Sequence, residues 1–222
     1  MTPRRTAILA GATGLVGGHC LDAILSERSY GRVVCLLRRR LPREHPKMEQ
    51  RVVDFDHLEE TAGDLRGDHL FCCLGTTLRD AGSREAFRKA DLDLPMSLAR
   101  AAASAGAKRF ILVSSLGADP ASRVFYLRVK GELETAASRL PFEAVHIMRP
   151  SLLLGRGSGA RPLERVAASL LTMFPDKAGT PMGRLRPVEA KAVAQAMVRA
   201  ALHGPAGVHV CGSDVIRLMA GG

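Results

Sequence analysis

The stretch AILAGATGLVGGHCL, residues 7–21, decides the fold. An apolar run leads into three glycines, Gly11, Gly14 and Gly17, in the pattern GxxGxxG, and an amphipathic segment follows. After a strand, such a pattern gives a tight turn at the first glycine, close backbone approach to a pyrophosphate at the second, and close packing of the next helix at the third. The helix N-terminus then offers amide donors to phosphate. The pattern predicts a dinucleotide-binding turn, with an ordinary turn as the alternative.

The rest of the chain alternates short apolar runs with amphipathic segments. Runs that are apolar on both faces are typical of a parallel sheet covered by helices on both sides. The predicted strands span 5–10, 32–37, 50–55, 69–75, 108–115, 142–148 and 207–212, and the predicted helices 14–27, 83–105, 121–139, 162–174 and 187–203. We therefore expect an α/β fold with a doubly wound, mostly parallel sheet (Rossmann fold), in which 1–222 form a single domain and 151–186 a small C-terminal substrate-side lobe.

Composition favours some partners and locations over others. The net charge of +10 comes from arginines scattered between Arg4 and Arg217, aromatic residues make up only 4%, and no basic stripe alternates with them, so a nucleic-acid partner is not expected. No apolar run reaches the length of a membrane span, so no membrane insertion is expected. Five cysteines, an odd number without CxxC spacing, suggest reduced thiols. The N-terminus has basic and apolar regions like those of a signal peptide, but glycines interrupt the apolar run and no good cleavage site follows, so no signal peptide is expected. These features predict a cytoplasmic protein, and no metal site is predicted.

Two arginines after the second predicted strand indicate which dinucleotide binds. In such sites an acidic residue about 20 positions after the glycines binds the ribose 2′-hydroxyl of NAD. This chain has no acidic residue between Glu27 and Glu44, and Arg38, Arg39 and Arg40 occupy that place, with Arg38 and Arg39 expected to contact the cofactor. Guanidinium groups hold a 2′-phosphate well, so the sequence predicts NADP(H), with a solvated basic loop as the alternative. Asp54, at the end of the third predicted strand, is expected either to bond the adenine amino group or to be a turn residue.

Tyr126 and Lys130 lie four residues apart on the predicted helix 121–139, so their side chains share one face. A tyrosine hydroxyl has a pKa of about 10, and a nearby ammonium favours its phenolate form. Lysine can also bond a ribose hydroxyl, a task that the planar guanidinium of arginine fits poorly. Ser115 ends the fifth predicted strand, where it could hold a substrate oxygen. Taken singly, these residues could be a cap, a core tyrosine and a solvated lysine; together they predict proton transfer beside a nucleotide.

Five motifs resemble a known superfamily. They are GATGLVGG (11–18), FCCLGTTLRDAGS (71–83), FILVSSLGAD (110–119), FYLRVKGELE (125–134) and MRPSLLLGR (148–156). As a set they resemble the short-chain dehydrogenase/reductase superfamily, in its atypical, NAD(P)-binding Rossmann branch, and within it the family of the Tat-interacting oxidoreductase-like protein and its bacterial relatives. The resemblance runs from about residue 6 to residue 155.

The resemblance implies roles for individual residues. NADP(H) would be bound through Gly11, Thr13, Gly14, Leu15, Val16, Gly17, Arg38 and Arg39, with Leu74, Gly75 and Thr76 along its adenosine side and Pro150 bordering the nicotinamide. Ser115, Tyr126 and Lys130 take the catalytic positions. One departure stands out, because Asp91 replaces the asparagine that many members carry in the fourth helix to complete a proton relay.

These observations predict an NADP(H)-dependent oxidoreductase of the atypical short-chain dehydrogenase/reductase type, which transfers hydride between the nicotinamide and a small carbonyl or alcohol substrate. The alternative is an NADP(H)-binding redox-sensing or scaffold protein with a protein partner and little catalysis. A nucleotide-sugar epimerase or dehydratase shares the same core, but such enzymes normally need a larger C-terminal domain. The sequence leaves the substrate and the oligomeric state open.

Overall fold

A computed structural model describes residues 4–58, 65–155 and 185–221 of the chain. Seven parallel strands form the main sheet: β1 (Arg5–Ala10), β2 (Tyr30–Leu37), β3 (Met48–Val52), β4 (His69–Cys72), β5 (Arg109–Val113), β6 (Ala144–Arg149) and, later in the chain, β9 (Gly207–Gly212). A second sheet pairs β7 (Leu153–Leu154) with β8 (Val188–Glu189). The main sheet has the order β3-β2-β1-β4-β5-β6-β9, which reverses direction between β1 and β4. Such a switch point opens a crevice at the carboxyl ends of the strands.

Helices cover both faces of this sheet. They are α1 (Leu15–Ser26), α2 (Leu78–Ala81), α3 (Arg84–Arg88), α4 (Leu94–Ser104), α5 (Phe125–Ala137), α6 (Ala190–His203) and α7 (Ser213–Gly221). Side chains alternate along β1: Ala7 and Leu9 pack in one core with α1 and α6, whereas Ile8 and Ala10 pack in the other with α4 and α5. The α/β, doubly wound, mostly parallel Rossmann fold is therefore confirmed.

The predicted helix 83–105 is divided in three. A π-helical turn, Lys89–Asp93, separates α3 from α4. Pro95 lies in the first turn of α4 and has no N–H for the carbonyl group of Asp91, so a regular α-helical ladder cannot continue through this point. A wider turn of this kind inside a helix is often found at functional sites.

Other boundaries also differ from the prediction. The helix predicted from residue 121 begins at Phe125, because Asp119 holds the preceding chain in a turn by accepting the backbone N–H groups of Ala121 and Ser122. Helix α7, which buries Ile216, was not predicted. The predicted helix 162–174 lies outside the described residues, as does most of the proposed lobe 151–186, so that division stays a prediction. No helix in the described ranges is long and apolar enough to cross a bilayer.

Candidate functional site

The glycine turn joins β1 to α1 at the carboxyl edge of the sheet. Gly11 has a φ of +88°, and a Cβ atom on it would lie 2.4 Å from the carbonyl oxygen of Cys73, so glycine is required there. Its carbonyl group accepts the N–H of Gly14 at 3.0 Å, which closes the turn. Gly14 then begins α1 without any side-chain cap. The first amide groups of this helix are left to bind a ligand, and they suit a phosphate group.

A pocket of about 380 Å³ opens on the β2 side of this turn. Arg38 and Arg39 line it and are exposed, and the Arg38 guanidinium lies 5.9 Å from the centre of the Phe55 ring. Within the described ranges neither arginine has a carboxylate partner. The pocket therefore carries two uncompensated positive charges at its rim. The pocket is also lined by Gly11, Thr13, Gly14, Leu74, Gly75 and Thr76.

Asp54 is placed differently from its predicted role in adenine binding. Its carboxylate accepts the N–H of Asp56 at 2.9 Å and contacts Nδ1 of His57 at 2.9 Å. The hydrogen bond from His57, with that from Asp56, lowers the pKa of this carboxyl group. Phe55, and not Asp54, lines the pocket. The geometry matches the alternative in which Asp54 is a turn residue.

A larger cleft of about 870 Å³ runs from the glycine turn to helix α5. It joins the turn to the predicted proton-transfer residues, since both Tyr126 and Lys130 line it. The other predicted residues on its wall are Thr13, Gly14, Leu15, Val16, Leu74, Gly75 and Thr76. Because β4 ends at Cys72 instead of continuing to residue 75, the chain after it is free to form this wall.

Tyr126 and Lys130 have contrasting surroundings on α5. Tyr126 is half-buried, with its ring 5.5 Å from that of Phe87. Lys130 is buried, and its Nζ lies 2.7 Å from Oδ1 of Asp91. Burial by itself lowers the pKa of Lys130, but the negative charge of Asp91, with smaller effects of Tyr126 and Cys72, outweighs burial and raises it above the ordinary value. The cleft therefore contains a charged ammonium group next to Tyr126.

The two serines after β5 do not occupy equivalent places. Ser114 lines the cleft, and its hydroxyl donates to Oε1 of Glu134 at 2.5 Å. Ser115, the predicted catalytic serine, is half-buried, and its hydroxyl donates to the carbonyl oxygen of Leu116 at 3.3 Å. The structure thus brings Ser114, and not Ser115, onto the described cleft wall.

Pro150 lies behind that wall. It is buried, its carbonyl oxygen accepts the N–H of Leu116 at 2.9 Å, and it does not line the described cleft. Leu153 and Gly155 line the cleft instead. The segment after β6 therefore reaches the cleft three residues later than the sequence pattern indicated.

Two further residues near the site escaped the sequence analysis. Glu134 is buried and forms an ion pair with Arg149 of β6, with Nε 2.9 Å from Oε1. The spacing of Lys130 and Glu134, at i and i+4, places both on one face of α5 and could have marked Glu134 as buried. Arg43, on the loop after β2, lines the large cleft and pairs with Asp22 of α1 at 2.5 Å.

Residues 11–140, more than half of the chain, match a family described as NAD(P)H-binding. The chain belongs to the NAD(P)H-binding family. This range includes the glycine turn, both pockets' main walls, and the helix that carries Tyr126 and Lys130. The resemblance to an NAD(P)-binding Rossmann family is thus confirmed.

Named relatives support the same membership in the NAD(P)H-binding family. Protein HTATIP2 of Rattus norvegicus is 37% identical over 176 residues, which cover 78% of this chain and 72% of that protein. Protein fmp52-1, mitochondrial, of Aspergillus terreus is 34% identical over 220 residues, which cover 96% of this chain and 94% of that protein. Several such fungal relatives are mitochondrial by name, including FMP52 of Saccharomyces cerevisiae. The expectation of a cytoplasmic location is therefore wrong, because the cysteine pattern on which it rested does not distinguish between compartments inside the cell.

Solved structures share the fold of this NAD(P)H-binding protein. MoeE5 in complex with UDP-glucuronic acid and NAD matches with a TM-score of 0.70 and 19% identity, over 93% of this chain and 75% of that one. The UDP-glucose 4-epimerase of Thermotoga maritima, solved with UDP-glucose, matches with a TM-score of 0.69 and 15% identity, over 96% of this chain and 80% of that one. At such identities the likeness concerns the fold alone.

Proposed function

We propose that this protein is an NADP(H)-dependent oxidoreductase that transfers hydride between the nicotinamide and a carbonyl or alcohol carbon. The observation that carries the proposal is the cleft in which Tyr126 and the charged Lys130 share a wall with the phosphate-binding glycine turn. A binding protein needs the turn, but it has no chemical need for a tyrosine and a buried ammonium group beside it.

The residues of the described site fit the cofactor. The uncapped amide groups at the start of α1 suit the pyrophosphate, and the exposed guanidinium groups of Arg38 and Arg39 suit a ribose 2′-phosphate. Gly75 and Thr76 line both pockets, so they would lie along the bound nucleotide. When bound, the cofactor supplies a hydride to a carbonyl carbon or accepts one from an alcohol carbon.

The protein's own groups would handle the proton and the substrate oxygen. Tyr126 donates its proton to the oxygen in reduction and takes it back in oxidation, and the charge on Lys130 stabilises the phenolate. An ammonium group has three donors, so Lys130 can keep its contact with Asp91 and still bond a ribose hydroxyl and the tyrosine oxygen. Ser115 does not line the described cleft, so a role for it in holding the substrate oxygen requires its hydroxyl to leave the long, 3.3 Å bond to the carbonyl oxygen of Leu116 and turn towards the cleft.

The first test is a fluorescence titration of the purified protein with NADPH and NADH. We expect binding of NADPH to be the tighter of the two. A screen of carbonyl substrates with Tyr126→Phe should then show unchanged NADPH binding and a loss of turnover of about 100-fold or more. Tyr30→Phe is the matched control, since Tyr30 is the other tyrosine and is buried against Nδ1 of His69 at 2.6 Å, away from the cleft. Full turnover by Tyr126→Phe would refute the catalytic assignment.

A second candidate is an NADP(H)-binding redox sensor with little catalysis. One observation favours it: the Ser114 hydroxyl donates to Glu134 and the Ser115 hydroxyl to Leu116, so neither is directed to a substrate as the site stands. This reading predicts tight NADPH binding without turnover of any carbonyl, together with a protein partner whose affinity differs between NADP⁺ and NADPH. Equal partner affinity in the two redox states would exclude it.

A further inference from the structure

Asp91 and Lys130 form an ion pair that is almost completely shielded from water. Their side chains are 0% and 5% exposed, and Nζ lies 2.7 Å from Oδ1. Oδ1 of Asp91 accepts no hydrogen bond of good geometry. Its contact with Nζ of Lys130 is therefore an electrostatic attraction between two close charges. A buried carboxylate without a partner is very unfavourable, and so is a buried ammonium group. Each charge therefore requires the other.

The second oxygen of Asp91 connects this pair to the other wall of the cleft. Oδ2 accepts the backbone N–H of Thr76 at 2.8 Å. A Cβ atom added to Gly75 would lie 3.4 Å from Oδ1 of Asp91 and 3.6 Å from Nζ of Lys130, so the chain after β4 passes directly over the two charges. One carboxylate thus contacts both Lys130 and the segment that lines both pockets.

The π-helical turn gives Asp91 this position. Asp91 lies inside the turn Lys89–Asp93, which interrupts the helical ladder just before Pro95. Its neighbour Asp93 belongs to the same turn and is exposed. The two carboxylates are two residues apart, yet only one faces the cleft.

We propose that Asp91 is a positioning residue that keeps the Lys130 ammonium charged and fixed in the cleft and ties it to the backbone of Thr76. This inference rests on the proposed function, because Lys130 is given a role there in binding the cofactor and in tuning Tyr126. It assigns a defined task to Asp91, at the position where the resemblance implies an asparagine in many members of the superfamily. That task is electrostatic, and an asparagine cannot perform it.

The effect of Asp91 on the pKa of Lys130 can be separated from the effects of the other titratable groups around Nζ. The titratable groups that face Nζ are Asp91 from the π turn, Tyr126 from α5 itself and Cys72 from β4. Burial raises the pKa of Cys72 to about 12, so this thiol is neutral near pH 7. Among these three groups, Asp91 has the largest effect in raising the pKa of Lys130. Without it, burial acts on Lys130 unopposed and lowers the lysine pKa.

The test is a pH titration of the apo protein labelled with ¹³C in its lysine side chains. The chain has six lysines, and Lys130→Met assigns the resonance of Lys130. In the wild type we expect Lys130 to stay charged beyond the pH at which exposed lysines titrate. In Asp91→Asn we expect the pKa of Lys130 to be lower than in the wild type by one unit or more, which is a ten-fold or greater change in its proton affinity. Asp93→Asn, in the same turn, should leave the Lys130 titration unchanged. If Lys130 titrates in Asp91→Asn as it does in the wild type, the proposal is overturned.

Cofactor binding provides a second readout. NADPH affinity in Asp91→Asn should weaken as the pH rises through the lowered pKa of Lys130, whereas Asp93→Asn should follow the wild type over the same interval. A wild type that binds no NADPH would contradict the proposed function, while the lysine titration of the apo protein would still decide the role of Asp91. The two failures are therefore distinguishable.

A folding defect in Asp91→Asn would itself be informative. If the unpaired Lys130 charge causes it, the double variant Asp91→Asn/Lys130→Met should recover folded protein, because both buried charges are then removed. Failure of the second substitution to rescue folding would show that Asp91 acts independently of Lys130, and it would overturn the proposal.

Discussion

A Cβ atom added to Gly17 would lie 1.9 Å from the carbonyl oxygen of Gly11, so helix α1 and the glycine turn are in direct backbone contact. This contact fixes the direction in which the start of α1 faces the pocket. The adjacent Gly18 has room, since a Cβ atom there would lie 3.6 Å from the nearest atom, the carbonyl oxygen of Ala12.

The two glycines should respond to alanine with opposite signs. Gly17→Ala must displace the turn, and we expect it to lower the free energy of unfolding by about 1–3 kcal/mol and to weaken NADPH binding. Gly18→Ala should raise the free energy of unfolding by up to about 1 kcal/mol, because alanine is the better helix former. Urea unfolding of both variants measures the difference. Equal changes in the free energy of unfolding would mean that the glycine turn moves at little cost to make room for a Cβ atom on residue 17.

Arg38 and Arg39 should determine the preference for NADPH over NADH. Substitution of either by alanine removes a charge-assisted contact to the 2′-phosphate, worth about 1.5–3 kcal/mol, so NADPH affinity should fall roughly 10-fold or more while NADH affinity stays the same. Arg40→Ala is the control, because Arg40 is exposed and does not line the described pocket. Equal losses for both cofactors would show that these arginines do not read the phosphate.

Glu134 should be important for stability, in contrast to Glu132 on the same helix. Glu134→Gln breaks a buried ion pair with Arg149 and disturbs the bond from Ser114, and we expect a loss of about 2–3 kcal/mol, less than for a fully buried pair because Arg149 is partly exposed. Glu132 pairs with Arg88 near the surface, so Glu132→Gln should cost at most about 1 kcal/mol. Chemical denaturation of the two variants, compared at one pH, measures the contrast, and similar losses would contradict it.

Two buried histidines should make the protein sensitive to acid. Burial, with the charges of Arg5 and Arg109, lowers the pKa of His69 to about 4, and burial, with His209 and Arg109, lowers that of His146 to about 4. The unfolded chain binds protons near pH 6.5, before the folded protein does, so stability is retained above that pH and is lost as the pH falls towards 4.

Unfolding free energies measured between pH 7 and pH 4 check this loss. Each histidine should account for at most about 3 kcal/mol. His146→Gln should reduce the pH dependence by about half, provided that the variant folds. A wild-type stability that does not change between pH 6.5 and pH 4.5 would show that neither histidine is held neutral.

Local patterns were predictable from the sequence because they depend on neighbours in the chain. The glycine spacing and the strand before it predicted the turn, and the alternation of apolar runs predicted the parallel sheet with helices on both faces. Tyr126 and Lys130 were predicted to share a face because four residues make one turn of any α-helix. The breaks in the predicted helix 83–105 did not follow from the sequence pattern, because the apolar periodicity continues past Pro95 as it would in an uninterrupted helix.

The sequence by itself therefore determined the fold class, the glycine turn and the presence of a tyrosine and a lysine on one helix, because each follows from short-range periodicity or from the conformations that glycine allows. Only the tertiary structure decided that Asp91 meets Lys130, that Glu134 meets Arg149, and that Ser114 replaces Ser115 on the cleft wall. These contacts join residues on different elements, so they depend on strand register and helix packing, which a local sequence pattern does not predict.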